Sequence, residues 1–480
     1  MAEKYSLSDY VNRLDNKRED YGALFNGLTL RKAYGRKKVI SDALNRIGRP
    51  YTLGENSAVD KLVKDEFFVL PGEDEKRIKG LQERVGKIDI SNIVMLVDNR
   101  CNYFCKYCQI EQNMDNEQSS YFMTKEVAKK AIDLLEMNAK RESKKTIDIT
   151  GGEPLMNIPT VKYIIERAEN MPNTRTVIFT NGSLVTEELA DYFAGKGTLM
   201  LVSLDGPKEV HDSVRVMRDG SGTFENSVRG YNSLKRAGCK VGISSVTGEH
   251  NVDRIREVSD LFMKLEPPSI GLNFGHYLLG QEDNPSIIKM TRFADILTGF
   301  YKEMREKGIF VENISRFIRP FYEEKPRLNE CQAEGRGFTV DARGKVGVCK
   351  SLLVSDVISK PLDEVSKDIS QERVFQEWAK RSPFTLEECV KCTMIGICGG
   401  GCTYDSYIKN KGDIKKIDRN YCDYTNKILE FLVWDLFDDI KGKIGEDVYV
   451  PNVEEQENKF TKFYDKENQL QRSIGHEKDR

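Results

Sequence analysis

The placement of the cysteines constrains this 480-residue chain more than any other feature of its sequence. Three of its 11 cysteines, Cys101, Cys105 and Cys108, lie close together, and seven more lie between residues 331 and 422. A structural zinc site takes four ligands and disulfides take pairs, so a group of three fits neither pattern directly. With only 4 histidines in the chain, thiolates would bind any metal, which favours zinc or iron–sulfur clusters.

Composition is typical of a soluble globular protein. Charged residues make up 31% of the chain, and 74 basic residues nearly balance 76 acidic ones. This balance gives no overall electrostatic case for a nucleic acid or an anionic membrane as partner. The N-terminal segment lacks the apolar run of a signal peptide, and no stretch is long and apolar enough to span a membrane. We expect a cytoplasmic protein, in which clustered cysteines are more often metal ligands or catalytic groups than disulfides.

Apolar strand patterns alternate with amphipathic helix patterns from about residue 92 onward. Six strands are predicted, at residues 92–99, 146–153, 176–182, 198–206, 240–248 and 269–278. This alternation indicates an α/β fold with a parallel sheet, two units short of a complete (β/α)8 barrel. Polar and glycine-rich stretches follow the strands, and in parallel barrels that edge carries the chemistry.

The chain divides by pattern into four parts. They are an N-terminal α+β module (1–90, with helices at 36–48 and 57–70), the partial barrel (91–315), a cysteine-rich domain (316–440) and a polar tail (441–480). The end of the tail is so polar that we expect it to be frayed or disordered.

The three clustered cysteines follow the first predicted barrel strand directly. The next cysteine, Cys239, is far along the chain, so we expect the set to be complete at three. Cubane clusters usually take four thiolates, and three would leave one iron open to an outside ligand. The pattern C-x3-C-x-aromatic-C, with Tyr107 as the aromatic, resembles that of radical S-adenosylmethionine (SAM) enzymes. A three-cysteine zinc site with a distant fourth ligand is the alternative.

The resemblance implies that the open iron binds SAM. In that family the reduced [4Fe–4S] cluster cleaves SAM to methionine and a 5′-deoxyadenosyl radical, which abstracts a hydrogen atom from the substrate. The motifs "TGGEP", "TNG" and "SLDG" follow strands two to four, and "HDSVRVMRDGSGTF" also resembles a family stretch. The SAM-binding residues implied are Gly151, Gly152, Glu153, Asn181, Ser203 and Arg215. Ser203 is expected to face the ribose and Arg215 the carboxylate, whereas His211 is expected to make a structural hydrogen bond.

The seven C-terminal cysteines resemble those of the SPASM domain, which carries two auxiliary [4Fe–4S] clusters. The resemblance implies an outer cluster on Cys389, Cys392, Cys398 and Cys422, and an inner cluster on Cys331, Cys349 and Cys402. The inner set is one cysteine short, so an open iron or a non-cysteine ligand is expected there. Three clusters in total leave only Cys239, interpreted as a buried structural thiol. A zinc ribbon is the alternative.

Two branches of SPASM enzymes are candidates. Anaerobic sulfatase-maturating enzymes form formylglycine and carry an aspartate directly after the second SPASM cysteine, where this chain has Lys350. The other branch modifies ribosomally made precursor peptides, often with an N-terminal winged-helix-type module that binds a leader peptide as an added strand. Residues 1–90 have the size of that module, although a plain cap on the barrel is the alternative.

We therefore expect a peptide-modifying radical SAM/SPASM enzyme that forms a thioether or, second, a carbon–carbon crosslink. Its expected partners are a precursor peptide and a reductant such as flavodoxin or ferredoxin. No side chain stands out as the general base. The hypothesis from another class is a peptide-binding scaffold without turnover.

Overall fold

The computed structural model describes residues 2–112, 121–275, 288–354 and 358–452. The N-terminal module is a three-stranded antiparallel sheet, β3-β4-β5, followed by helices, with two short strand pairs, β1-β6 and β2-β7. Its elements are β1 Glu3–Lys4, β2 Ser6–Leu7, β3 Val11–Asp15, β4 Tyr21–Asn26, β5 Lys32–Arg36, α1 Lys37–Leu44, β6 Pro50–Tyr51, α2 Ser57–Lys64, β7 Phe68–Val69 and α3 Glu73–Gln82.

Helix α2 ends earlier than its apolar pattern predicts. The Asn56 side chain caps its start by accepting a hydrogen bond from the backbone N–H of Val59 at 3.0 Å. The predicted helix over 57–70 is wrong beyond Lys64, because Glu66 takes a left-handed φ of 63° and turns the chain into β7. The apolar residues that follow are therefore buried in a strand.

The partial barrel contains six long parallel strands alternating with helices, as the sequence predicts. A further short strand, β14, extends the parallel series. The elements are β8 Asn92–Asp98, α4 Gln109–Gln112, α5 Lys125–Asn138, β9 Lys145–Gly151, α6 Ile158–Glu169, β10 Thr174–Thr180, α7 Glu187–Gly195, β11 Leu199–Ser203, α8 Lys208–Val214, α9 Phe224–Arg236, β12 Val241–Thr247, α10 Ile255–Leu265, β13 Ser269–Phe274, α11 Met290–Glu306, β14 Phe310–Val311 and α12 Glu312–Glu323. Residues 276–278 of the sixth predicted strand lie outside the described residues.

The cysteine-rich domain continues the barrel sheet. Strand β15 pairs in parallel with β8, and β16 and β17 follow it in antiparallel pairing, which gives a ten-stranded sheet. Its elements are β15 Gly337–Val340, β16 Lys345–Gly347, α13 Lys350–Val354, β17 Lys360–Pro361, α14 Arg373–Ala379, α15 Ile395–Cys398, α16 Thr403–Lys409 and α17 Arg419–Ile440.

The barrel strands have two different faces. On β9, Ile147 and Ile149 are completely buried in the main apolar core, whereas Asp148 between them is half-buried. Successive side chains of a strand point to opposite faces, so Asp148 lies on the face turned away from that core. We call the space enclosed by this inner face the lumen.

The chain segment after α17 returns to the N-terminal module. Tyr449 forms two backbone hydrogen bonds with Tyr34 of β5, each 2.8 Å long. Val448 is buried in the core of the module, and Lys61 Nζ lies 2.9 Å from Asp447 Oδ2. The predicted tail therefore begins with a docked segment, and its part from residue 453 onward lies outside the described residues. No described helix combines the length and apolar character that crossing a bilayer requires.

Candidate active site

The three-cysteine loop is held by the glycine turn that follows β9. The N–H of Gly152 donates to the carbonyl of Asp98 at 2.7 Å, and the N–H of Glu153 donates to that of Arg100 at 2.8 Å. A Cβ on Gly151 would lie 2.2 Å from the Asp98 oxygen, and one on Gly152 would lie 2.1 Å from the Arg100 oxygen. Only glycine allows this close approach of two backbones.

The thiols of this loop lie together. Burial raises the pKa of the Cys101 thiol to about 12, and nearby Glu153, Cys105 and Cys108 raise it further. The backbone N–H of Tyr103 donates to Cys101 Sγ at 3.4 Å, an interaction that favours a thiolate. The structure thus brings together the three cysteines that the sequence predicts as one ligand set.

The carboxylate of Glu153 is buried, and its hydrogen-bond partners are groups of the protein itself. Its carboxylate accepts hydrogen bonds from Thr180 Oγ1 at 2.7 Å, from the N–H of Asn181 at 2.7 Å and from the N–H of Leu155 at 3.0 Å. Burial raises the pKa of Glu153 to about 7, although these hydrogen bonds lower it. The Asn181 side chain donates to Asn102 Oδ1 at 2.9 Å. Glu153 therefore ties the end of β10 to the turn after β9.

A second buried carboxylate, Asp205, organises the opposite side of the cysteine loop. Arg215 Nε and Nη2 donate to its two oxygens at 2.8 and 3.2 Å, and the Tyr107 hydroxyl also donates to it. Burial raises the pKa of Cys105 to about 11, and the Arg215 charge counteracts this rise. The predicted SAM-binding arginine is thus fixed beside the cysteine loop by a bidentate ion pair. Ser203, the last residue of β11, is half-buried.

His211 has the structural role that the sequence predicts. Its Nδ1 accepts from the backbone N–H of Asp205 at 3.3 Å, and its Nε2 is 3.0 Å from Thr223 Oγ1. Burial lowers the pKa of His211 to about 4. The imidazole is therefore neutral and links α8 to the turn before α9. Cys239 is half-buried rather than buried, and its thiol donates to the carbonyl of Ala190 at 3.3 Å.

The outer C-terminal cysteine set is assembled by tight turns. Burial raises the pKa of Cys398 to about 12, and the neighbouring Cys389 and Cys422 contribute to the rise. The pKa of Cys389 is likewise raised by Cys392 and Cys422, so the four thiols lie near one another. The N–H of Gly400 donates to Cys398 Sγ at 3.2 Å, within three consecutive glycines of positive φ (79°, 94° and 73°) that other residues rarely adopt.

The inner cysteine set is also brought together. Burial raises the pKa of Cys402, and Asp405, Cys331 and Cys349 raise it further. Buried Glu334 accepts from the N–H of Cys331 at 3.4 Å and from the hydroxyl of Thr403, the residue after Cys402. Glu334 therefore joins two of the three segments that carry this set. It has no recognisable sequence signal, because its partner Thr403 is distant in the chain.

The thiols fit iron–sulfur chemistry by their donor type and grouping. Thiolates are the usual ligands of such clusters. The loop set has three cysteines, the outer set has four and the inner set has three. Among residues 2–112, 121–275, 288–354 and 358–452, no three or more His, Cys, Asp or Glu side chains are arranged as they would be around a single metal ion.

The N-terminal module contacts the loop of the outer set directly. Asn12 on β3 makes two hydrogen bonds with Thr393, one to its carbonyl at 3.1 Å and one from its hydroxyl at 2.7 Å. The Tyr10 hydroxyl donates to the carbonyl of Val390 at 2.7 Å, and the N–H of Gly396 donates to that of Gly27 at 2.8 Å. No pattern in the sequence indicates this contact.

Comparison with known proteins places the site in a family. Residues 95–262 match the Radical SAM superfamily. The chain is 25% identical over 469 residues, covering 89% of its length, to the radical SAM cyclopropyl synthase TigE of Paramaledivibacter caminithermalis, of which 95% is covered. The chain therefore contains a radical SAM domain and is a radical SAM enzyme.

Two solved structures share the fold. The structure of anSMEcpe with bound AdoMet matches 75% of this chain and 96% of its own, with a TM-score of 0.63 and 20% identity. Streptococcus suis SuiB bound to its precursor peptide SuiA matches 87% of this chain and 99% of its own, with a TM-score of 0.54 and 13% identity. These identities support the likeness of fold alone.

Proposed function

We propose that this radical SAM enzyme forms a carbon–carbon bond in a ribosomally made precursor peptide. The similarity to the cyclopropyl synthase carries the proposal, because it runs through 89% of this chain and 95% of that enzyme rather than through the barrel alone. A cyclopropyl group closes when two carbon atoms join with loss of two hydrogens. The thioether favoured by the sequence becomes the second candidate, and it requires a cysteine in the substrate.

In this proposal Cys101, Cys105 and Cys108 hold the cluster that binds SAM. Together, a [4Fe–4S] cluster and SAM supply a 5′-deoxyadenosyl radical that removes a hydrogen atom from the substrate. The residues proposed to bind SAM directly are Gly151, Gly152, Asn181, Ser203 and Arg215, and Glu153 supports this set from its buried position. Arg215 suits the SAM carboxylate because Asp205 already fixes its guanidinium. Glu153 positions Asn181 and the glycine turn by its hydrogen bonds.

The two C-terminal sets complete a proposed total of three [4Fe–4S] clusters. Cys389, Cys392, Cys398 and Cys422 would hold the outer cluster. Cys331, Cys349 and Cys402 would hold the inner one, with the fourth position open or taken by another ligand. Electrons would come from a reductant such as flavodoxin or ferredoxin.

The N-terminal module offers an edge for a leader peptide. Among the described residues, β3 is the edge strand of its three-stranded sheet, and its Arg13 and Asp15 are exposed. The opposite strand, β5, is joined by Tyr449. A leader peptide would add to β3 as a further strand, with main-chain hydrogen bonds providing affinity. If residues 1–90 are only a cap, a peptide will not bind there.

The test is anaerobic coexpression with a small precursor peptide encoded beside the gene, followed by mass spectrometry. A product lighter by two hydrogens, with its cysteines still open to alkylation, supports a carbon–carbon bond. Blocked cysteine alkylation would indicate a thioether, and an aldehyde that reacts with hydrazine would indicate formylglycine. The control carries alanine at Cys101, Cys105 and Cys108. If the reconstituted enzyme releases no 5′-deoxyadenosine with dithionite and SAM, the chain is a scaffold and the proposal fails.

A further inference from the structure

A group of charged side chains in the lumen includes none of the residues proposed above to bind SAM. Its centre is Asp148, which lies on the lumen face of β9 between buried Ile147 and Ile149. Asp148 precedes Gly151 by three residues, so it lies about 10 Å along the strand from the SAM-side turn, at roughly 3.3 Å per residue. At this depth the carboxylate is distant from the cysteine loop, but it faces the same interior space.

Groups from four other segments face Asp148. The Gln332 amide and the charges of Arg175 on β10, Glu312 at the start of α12 and Lys350 at the start of α13 lie near enough to act on its carboxylate. Arg175 Nε also donates to Thr146 Oγ1 at 3.1 Å. Glu312 and Lys350 are exposed, so the lumen is open to solvent at this level. A peptide segment can therefore reach this charged group.

The charged group also lies next to the inner cysteine set. Gln332 directly follows Cys331, and Lys350 directly follows Cys349. Asp148 therefore faces a space bounded by the SAM-side turn at one end and by the inner set at the other. A substrate that donates a hydrogen atom to the 5′-deoxyadenosyl radical would occupy this space.

The proposed reaction needs a proton acceptor. Closing one bond with loss of two hydrogens removes one hydrogen as an atom and the other as a proton plus an electron. The proton needs a positioned base, and the electron needs a one-electron acceptor of the iron–sulfur class. Glu153 and Asp205, the buried carboxylates beside the cysteine loop, are already engaged by several donors. Asp148, by contrast, faces the lumen from the centre of strand β9 and is half-buried.

We propose that Asp148 is the proton acceptor of this enzyme, an inference that rests on the proposed function. Its carboxylate takes the proton from the substrate atom that closes the bond. The substrate bond to hydrogen breaks, and a new O–H bond forms on Asp148. One electron of the pair left on the substrate atom joins the unpaired electron of the radical carbon in the new bond, and the other passes to the one-electron acceptor. Gln332 and Lys350 position the carboxylate between the two ends of the lumen.

The electrostatics of the site suit this role. Burial raises the pKa of Asp148 to about 6, while Arg175, Gln332 and Lys350 lower it and Glu312 raises it. The carboxylate is therefore mostly ionised at neutral pH but retains more basicity than an exposed aspartate. A base with a pKa close to the working pH is the most effective.

The test compares Asp148→Asn and Asp148→Glu in reconstituted holoenzyme with the precursor peptide, SAM and dithionite. Asp148→Asn should still release 5′-deoxyadenosine, but product formed per 5′-deoxyadenosine should fall about 100-fold or more, the usual contribution of a general base. Asp148→Glu should restore part of the product. Iron content and thermal unfolding report folding, and if Asp148→Asn does not fold, the pH profile of Asp148→Glu decides instead.

The pH dependence separates a base from a structural role. Wild-type product formation should decline as pH falls through about 6, and Lys350→Met should move this midpoint upward because it removes a charge that lowers the Asp148 pKa. Three results would overturn the proposal. They are a wild-type product yield in Asp148→Asn, loss of SAM cleavage in a folded Asp148→Asn, and loss of product in Glu312→Gln but not in Asp148→Asn. If the wild type itself makes no peptide product, the proposed function has failed first.

Discussion

The contact between the N-terminal module and the outer cysteine loop predicts the effect of Gly27→Ala. The added Cβ would lie 1.8 Å from the carbonyl oxygen of Thr393, and because that atom is backbone, the two segments must separate. Separation removes the four hydrogen bonds that Asn12, Tyr10 and Gly27 make with this loop. At about 1 kcal/mol each, the free energy of unfolding should fall by up to about 4 kcal/mol.

The assay is urea unfolding of the anaerobically reconstituted protein, with iron analysis and limited proteolysis of the segment after α3. We expect a lower unfolding midpoint, faster cleavage and partial loss of iron, because the affected loop runs from Cys389 through Cys392 to Cys398. Gly80→Ala is the matched control. It lies in α3 with no atom within 4 Å of the added Cβ, so it should stabilise the module by roughly 0.5–1 kcal/mol. If Gly27→Ala behaves like Gly80→Ala, the contact between the module and the loop does not stabilise the protein.

Three further predictions concern the cysteine sets and buried charges. Cys392→Ala should lose about four of roughly twelve irons and keep the others, and iron analysis showing loss of all of them would contradict separate sets. Burial lowers the pKa of Lys32 to about 8, below its usual 10.5, although Glu324 opposes this. Between pH values of about 8 and 10.5 the folded state thus binds fewer protons than the unfolded state. The free energy of unfolding in urea should therefore rise with pH in the wild type relative to Lys32→Met, and the same pH dependence in both proteins would contradict this prediction. Arg381→Lys loses a guanidinium that donates to three acceptors at 2.8, 2.9 and 2.8 Å, and unfolding should show a loss of about 2–3 kcal/mol, while an unchanged midpoint would show that these bonds contribute little.

Local patterns predicted the barrel strands well because each is a short apolar run bounded by glycine or polar residues. The strand predicted at 92–99 is Asn92–Asp98, and that at 146–153 is Lys145–Gly151. The grouping of the C-terminal cysteines into two sets was implied by their resemblance to the SPASM domain, and in the structure three glycines of positive φ precede Cys402.

Features that depend on distant segments were not predictable. Asp148 is one polar residue between two isoleucines, and its significance comes from Gln332 and Lys350, which are about 180 and about 200 residues away in sequence. The docked segment at Val448 was interpreted as tail because its surroundings are polar, yet Val448 completes the core of the N-terminal module. Tertiary packing decided both cases.

The pairing of β15 with β8 has a consequence for dividing this protein. A fragment ending at residue 315 would lack β15 and leave β8 as an unprotected edge strand, with its backbone N–H and C=O groups open to pairing with other chains. Such a fragment should aggregate even though its own six units are intact. A chimaera that exchanges the cysteine-rich domain between related enzymes would have to preserve the register of Gly337 opposite Asn92. The sheet, rather than the chain boundary, thus defines the smallest unit that can be exchanged.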